Sequence, residues 1–185
     1  GLGVSLIAYS GGVPQVIATE GGHIDFAPLD STEAALLALL RAEHLRVSTE
    51  RLVSGPGLNA IYRGLAEING AQVALLNDAD LWAAALSGEN SLARAALERL
   101  CMIYGSVAGD LALAHGPSAV VLVGSLTARL KPVLLQSGFH ARFTAKGRFE
   151  GLMRQIPVRL AEHQEIGLFG AAAAYGTIAS RRHLN

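Results

Sequence analysis

Cysteine is almost missing. Cys101 stands alone, so no internal disulfide and no multi-cysteine metal site can form. A single cysteine fits a cytosolic setting, and its place in an apolar helical pattern makes it a small core residue rather than a nucleophile. An excess charge of either sign is lacking too. Fifteen basic and fifteen acidic residues cancel, which leaves no global field for nucleic acid or an anionic membrane surface. Charged residues make up only 16% against 51% hydrophobic, excluding a disordered chain and requiring a well-buried fold. No apolar run reaches the roughly 20 residues that span a bilayer. The most apolar candidate, Ile166 to Ala179, is shorter and interrupted by glycines. No secretory leader is expected. The chain opens with Gly1-Leu2-Gly3 and runs straight into a strand, which reads as a piece of something longer. Its 185 residues, without repeat, low-complexity segment or linker, are enough for one domain with a proper core.

What is present is periodicity. Gly3 to Tyr9 is a nearly continuous apolar run, suited to a strand buried on both faces. Ser10-Gly11-Gly12 signals a turn and Val13 to Thr19 a second strand, so a β-hairpin is expected. Two early antiparallel strands predict an α/β domain with a mixed sheet. Asp30 stands three residues before Glu33, the spacing of a helix cap and its partner. That helix runs to about Glu43, with Ala34, Leu37, Ala38 and Arg41 on one face and Leu36 and Leu40 beside it. Behind Ser54 as an N-cap, Leu58, Ile61, Tyr62 and Leu65 repeat at helical period as far as Asn69-Gly70. Val73 to Asp80 reads as irregular. Helices follow over Asp80 to Leu86 and over Asn90 to about Ala114, the second apolar enough to sit at the centre of the domain. Gly105 and Gly109 within it permit close packing, and His115-Gly116 ends it. Ser118 to Val123 reads as the clearest buried strand, followed by Gly124-Ser125 and a helix over Leu126 to Gln136 kinked at Pro132. A short helix (Phe149 to Ile156), a last strand (Val158 to Ala161) and a small-residue core helix (Gly167 to Ala179) lead to a polar tail, Arg181, Arg182 and His183.

The chemistry gathers where the second strand ends, in Ala18-Thr19-Glu20-Gly21-Gly22-His23-Ile24-Asp25-Phe26. Paired glycines let the chain turn sharply, aiming the Glu20 carboxylate and the His23 imidazole into one concavity. A carboxylate accepts hydrogen bonds and an imidazole donates and accepts, which suits the vicinal hydroxyls of a sugar. On local pattern alone, a plain turn with a satisfied histidine explains the stretch as well. Farther on, Ser54-Gly55-Pro56-Gly57 opens a capped helix whose free amides can hold an anion or a ribose. Glu50 lies just upstream, and locally it reads as a surface acid paired with Arg51. Gly124 and Ser125 follow a strand of an open α/β sheet, where ligands gather. They are phosphate or nucleotide candidates, with a structural turn as the alternative.

Taken together, the segments resemble the bacterial glucokinases of the actin and hexokinase fold superfamily. The resemblance runs from Gly1 to about Tyr175 through motifs in order: Gly1-Leu2-Gly3-Val4; Glu20-Gly21-Gly22-His23 with Asp25-Phe26-Ala27-Pro28; Arg41-Ala42-Glu43; Glu50-Arg51 with Ser54-Gly55-Pro56-Gly57-Leu58. Asp110-Leu111-Ala112-Leu113, Ser137-Gly138-Phe139, Lys146-Gly147-Arg148-Phe149, Ile156-Pro157-Val158 and Gly167-Leu168-Phe169-Gly170 complete it. The resemblance implies a ribonuclease H-like, actin/hexokinase-type mixed sheet flanked by helices. By it, residues 1–185 are the large C-terminal lobe of a two-lobed kinase, without the small N-terminal lobe. It implies glucose and ATP with Mg²⁺ as ligands, Glu20, His23 and Glu50 on the glucose hydroxyls, and Gly1, Gly3, Gly55, Gly124 and Ser125 beside the nucleotide. The family's base, an aspartate after an asparagine in the small lobe, has no counterpart in this sequence, so no catalytic residue and no metal ligand is assigned here. Serine at 125 departs from the family's usual second glycine and puts the detail of the nucleotide contact in doubt. A non-catalytic sugar-binding relative and a kinase for another hexose or an amino sugar remain as alternatives. Whether the protein forms a homodimer is left open.

Overall fold

The computed structural model describes residues 1–73, 76–163 and 165–182. Strands β1 (Val4–Ser10) and β2 (Val13–Thr19) pair antiparallel, in register from Val4 opposite Thr19 to Ser10 opposite Val13. Their connection is the two-residue turn Gly11-Gly12, both residues left-handed at φ 58° and 78°, as a tight hairpin requires. A single 3₁₀ turn, Gly21–His23, leads on to α1 (Ser31–Glu43), α2 (Thr49–Leu52), α3 (Gly57–Ile68), α4 (Asp78–Ser87) and α5 (Ser91–His115). Strand β3 (Val120–Leu122) follows, then α6 (Ser125–Leu134), α7 (Phe139–Thr144), a second 3₁₀ turn (Gly147–Phe149), α8 (Glu150–Met153), β4 (Val158–Leu160) and α9 (Ile166–Arg182). β3 and β4 pair in parallel, Val120 opposite Val158. The α/β character is thus carried by one antiparallel and one parallel pair of strands with helices around them.

Helix ends obey local chemistry. Asp30 accepts the Glu33 amide at 2.9 Å and starts α1, Asn90 accepts the Ala93 amide at 2.9 Å and starts α5, and Gly116, left-handed at φ 58°, ends α5. Ser54 acts one turn early: its hydroxyl accepts the Gly57 amide at 3.1 Å, while α3 itself begins at Gly57. Of the stretch expected to be irregular, residues 74 and 75 lie outside the described residues and α4 already begins at Asp78. In the expected polar tail, His183 is likewise outside them.

The core lies around α5, with α3 and α4 packed on it and α7 across from them. Leu36, Leu52, Leu58, Ile61, Leu100, Ile103, Leu130 and Phe143 are wholly buried in it. At Gly105 and Gly109 the backbones of α5 and α7 nearly touch: an added Cβ would lie 2.1 Å from the Phe139 carbonyl oxygen and 2.4 Å from that of Phe143. Cys101 is buried beside this contact, and burial pushes its thiol up to about 11. That fits a core residue that stays protonated.

Three expectations about burial are corrected. On α1 the buried stripe is Glu33, Leu36, Leu37 and Leu40, while Ala34, Ala38 and Arg41 are exposed. The helix is rotated because Leu36 fits against Gly64 of α3 and because two arginines draw Glu33 inward. Arg99 of α5 donates to Glu33 at 2.9 Å and also bonds Asp30; Arg142 of α7 reaches Asp30 at 2.5 Å and Glu33 at 3.1 Å. The second Glu33 oxygen takes the Leu29 amide at 2.8 Å, so both oxygens of a carboxylate only 1% exposed are partnered. The second correction concerns the strands: Ile7 (63%), Tyr9 (73%) and Val16 (62%) are open on the hairpin, and on or beside β3 so are Val121 and Val123. The third is α9, whose Leu168, Phe169 and Tyr175 are exposed rather than packed in a core. In each case an apolar run is buried only where a second layer covers it, and the described residues place none there. No helix among the described residues is long and apolar enough to cross a membrane.

Candidate functional site

At the end of β2 the Thr19 hydroxyl bonds back to the Val4 carbonyl at 2.9 Å and accepts the Gly21 amide at 3.3 Å. The strand is thereby closed and the chain steered into its 3₁₀ turn. Gly22 makes the turn possible by close approach: a Cβ there would stand 1.9 Å from the Leu2 carbonyl oxygen. The turn therefore rests on the first residues of the chain, and no larger side chain fits beneath it.

A second segment, Arg46 to Thr49, holds the far side. The Phe26 amide donates to the Val47 carbonyl at 3.0 Å and the Thr49 amide to that of Ile24 at 2.9 Å, forming a short bridge between Asp25 and Ser48. The buried Thr49 hydroxyl donates to the Gly22 carbonyl at 2.7 Å. Thr49 opens α2, so the next residue, Glu50, points back toward the turn. His23 Nε2 and Glu50 Oε2 come within 3.1 Å, 27 positions apart in sequence, with side chains 58% and 31% exposed. An added Cβ on Gly1 would be 2.7 Å from Glu50 Oε1, which sets the chain's first residue against the same carboxylate.

Two of the three expected sugar-facing side chains are thus brought together. The local reading of Glu50 as Arg51's surface partner is overturned, since Arg51 instead bonds His44 Nε2 at 3.0 Å. Glu20 lies at the mouth of the turn, exposed; its carbonyl accepts the His23 amide at 2.9 Å, and its carboxylate makes no bond among the described residues. Arg46 and Thr49 escaped the sequence reading. Their signal is faint, a basic and a hydroxyl residue in a stretch too short to assign, and only the bridge to Asp25 gives them meaning.

The expected nucleotide residues are found in three places. Gly1 and Gly3 line a hollow of about 250 Å³ together with β3 and with Leu126 and Thr127 of α6. Gly124 precedes α6 at φ 98° and ψ 175°, outside the range of L-residues, with nothing within 4 Å of an added Cβ. Ser125 is already helical, and no non-glycine residue described has positive φ, so serine there is unstrained. Tyr104 of α5 anchors this helix start through Thr127 Oγ1 at 3.1 Å. Burial pushes the Tyr104 phenol up, against the opposing Thr127 bond, which keeps it a neutral hydrogen-bonding group. Gly55 is linked to α6 through Trp82: the indole N–H donates to the Gly55 carbonyl at 3.4 Å, and the Arg129 guanidinium of α6 lies 4.8 Å over the ring. A larger hollow of about 650 Å³ between α1 and α3 contains none of the expected site residues. Among the described residues no cluster of three or more His, Cys, Asp or Glu side chains is arranged to hold a metal.

Helices in this order about short sheets define a fold of the hexokinase type. Solved structures match it: glucokinase from an Antarctic psychrotroph superposes with a TM-score of 0.85 at 37% identity, over 93% of this chain and 54% of that one. Leishmania braziliensis glucokinase, at 22% identity and a TM-score of 0.72 over 88% of this chain and 46% of that one, shares the fold. The glucokinase family model matches residues 1–178. The glucokinase of Zymomonas mobilis is 53% identical over 175 residues, 95% of this chain and 54% of the relative. That of Xanthomonas euvesicatoria is 39% identical over 184 residues, 99% and 54%. The chain belongs to the glucokinase family, and it spans about half the length of the curated relatives it matches.

Proposed function

We propose that this chain is the larger lobe of a two-lobed kinase that transfers the γ-phosphoryl group of ATP to the 6-hydroxyl of glucose. The observation that carries the reading is the meeting of His23 and Glu50 at 3.1 Å beside the backbone of Gly1. An acceptor site and a glycine-rich entry strand share one carboxylate. Phosphoryl transfer needs positioning and charge neutralisation more than covalent chemistry. Glu20, His23 and Glu50 supply the positioning by holding sugar hydroxyls, and they reject sugars that leave buried polar groups unpaired.

ATP fits the glycines that the resemblance sets beside the nucleotide. Gly3, Gly55 and Gly124 all have open space where a Cβ would stand, so a phosphate or ribose can approach their backbone, and the start of α6 offers unbonded amides. When bound, ATP with Mg²⁺ supplies the transferable phosphoryl group and neutralises its charge. This chain's own residues hold the acceptor and line one side of the donor. No residue here is assigned as base. The exposed apolar faces of the hairpin, β3 and α9 and the greater length of the relatives support the one-lobe reading, in which the chain alone turns over no glucose. A coupled assay giving a measurable glucose 6-phosphate rate from this chain by itself would overturn it.

The experiment that tests the acceptor site is Glu20→Ala in the full-length protein. Loss of a charge-assisted hydrogen bond of roughly 1.5–3 kcal/mol weakens glucose binding about ten- to a hundredfold, read by calorimetry. Unchanged affinity removes Glu20 from the site. A non-catalytic sugar-binding protein is the second reading. It predicts the same loss of affinity with no phosphorylation by the full-length protein at any ATP concentration.

A further inference from the structure

Three consecutive carbonyls, those of Gly22, His23 and Ile24, are all taken by the segment that leads into Glu50. Gly22 receives the Thr49 hydroxyl at 2.7 Å and Ile24 the Thr49 amide at 2.9 Å. The middle one, of His23 itself, receives a guanidinium N–H of Arg46 at 2.5 Å, while Arg46 Nε donates to Asp25 Oδ1 at 2.6 Å. Arg46 thus grips the turn on both sides of Ile24 with one rigid fork, a geometry only arginine provides. The two Thr49 contacts are buried or backbone bonds and belong to the fold. The Arg46 contact is different: Arg46 is 58% and Asp25 72% exposed, so the pair adds little to folding stability. It nonetheless holds the backbone of the residue whose ring must meet Glu50.

We infer that Arg46, with Asp25 as its second anchor, is a positioning residue that keeps His23 within reach of Glu50 and so sets sugar affinity without setting stability. This deepens the acceptor-site reading above and rests on it. Released, the His23 turn samples other arrangements. Apparent affinity then falls by the fraction of time it is competent, roughly three- to tenfold if that fraction drops to between a third and a tenth.

The test compares Arg46→Gln, Asp25→Asn, their double mutant, Arg46→Lys and His23→Ala in the full-length protein. It reads KM for glucose, KM for ATP and the thermal midpoint. The expected result is a three- to tenfold rise in glucose KM for Arg46→Gln and for Asp25→Asn, with their double mutant no worse than either, as contacts of one clasp require. The ATP KM stays put, the thermal midpoint moves by less than about 2 °C, and Arg46→Lys recovers part of the loss through one of the two contacts. Arg46→Gln with a glucose KM within twofold of wild type, while His23→Ala raises it, overturns the clasp and leaves the acceptor site standing. If His23→Ala is also silent, the acceptor-site reading itself falls. A large drop in thermal midpoint for Arg46→Gln or Asp25→Asn makes the pair structural and overturns the inference.

Discussion

The helical body and the hairpin are built from similar residues and end in opposite surroundings. Leu58, Ile61, Leu100 and Ile103 are completely buried between α3 and α5, whereas Ile7 and Val16 are more than three-fifths exposed on β1 and β2. Apolar periodicity selects a secondary structure, but coverage comes from whatever packs on it. Helices α3 and α5 cover one another. The strands have only each other, and a two-stranded ribbon gains little by itself.

The difference is open to direct attack, beginning where the response should be largest. Phe143→Ala, in the wholly buried contact of α7 with α5, should cost about 3–5 kcal/mol in urea unfolding; a loss under 1 kcal/mol would mean that the body is loosely packed. Gly105→Ala pushes a methyl group into the Phe139 carbonyl and should destabilise by about 1–3 kcal/mol, a reversal of glycine's usual handicap inside a helix. The body also carries an acid-sensitive lock. Burial pushes the Asp30 carboxyl up, but the Glu33 amide and the Arg99 and Arg142 guanidinia outweigh it and hold the group below its ordinary value of 3.8. A carboxyl lowered in the folded state stabilises above its unfolded pKa and loses that contribution as pH falls through the folded one. Stability should therefore drop below about pH 4, and Asp30→Asn should flatten part of that decline; an unchanged profile would detach the lock from folding. The smallest effect belongs to the hairpin: Ile7→Ala in this chain should shift stability by under about 0.5 kcal/mol. If the full-length protein covers this face, the same substitution there should cost several times more. Equal costs in both would sink the idea of a covering layer.

Helix ends were legible in the sequence because capping is a matter of neighbours. Asp30 and Gly116 each bond within a few residues of themselves, so spacing alone reveals them. Helix faces were not. Glu33 turns inward because of Arg99 and Arg142, 66 and 109 positions away, and no local pattern encodes that. The same holds at the site. Glu20-Gly21-Gly22-His23 stood out as a turn with chemistry in it, but the local pattern paired Glu50 with Arg51. Only the family resemblance brought Glu50 across to His23. The bridge that accomplishes this, Asp25 to Ser48, lies in a stretch too short to carry any period. Arg46 gave no sign of itself until its partners had coordinates.

The near-contact of α5 with α7 has a consequence for anyone who wishes to cut or splice this chain. Two backbones seated that closely move as one plank, so the connection at Ser137 and Gly138 is a poor place for an inserted tag or a new terminus. The Gly11-Gly12 tip, with nothing within 4 Å of either residue, is where an insertion should pass unnoticed by the rest of the molecule.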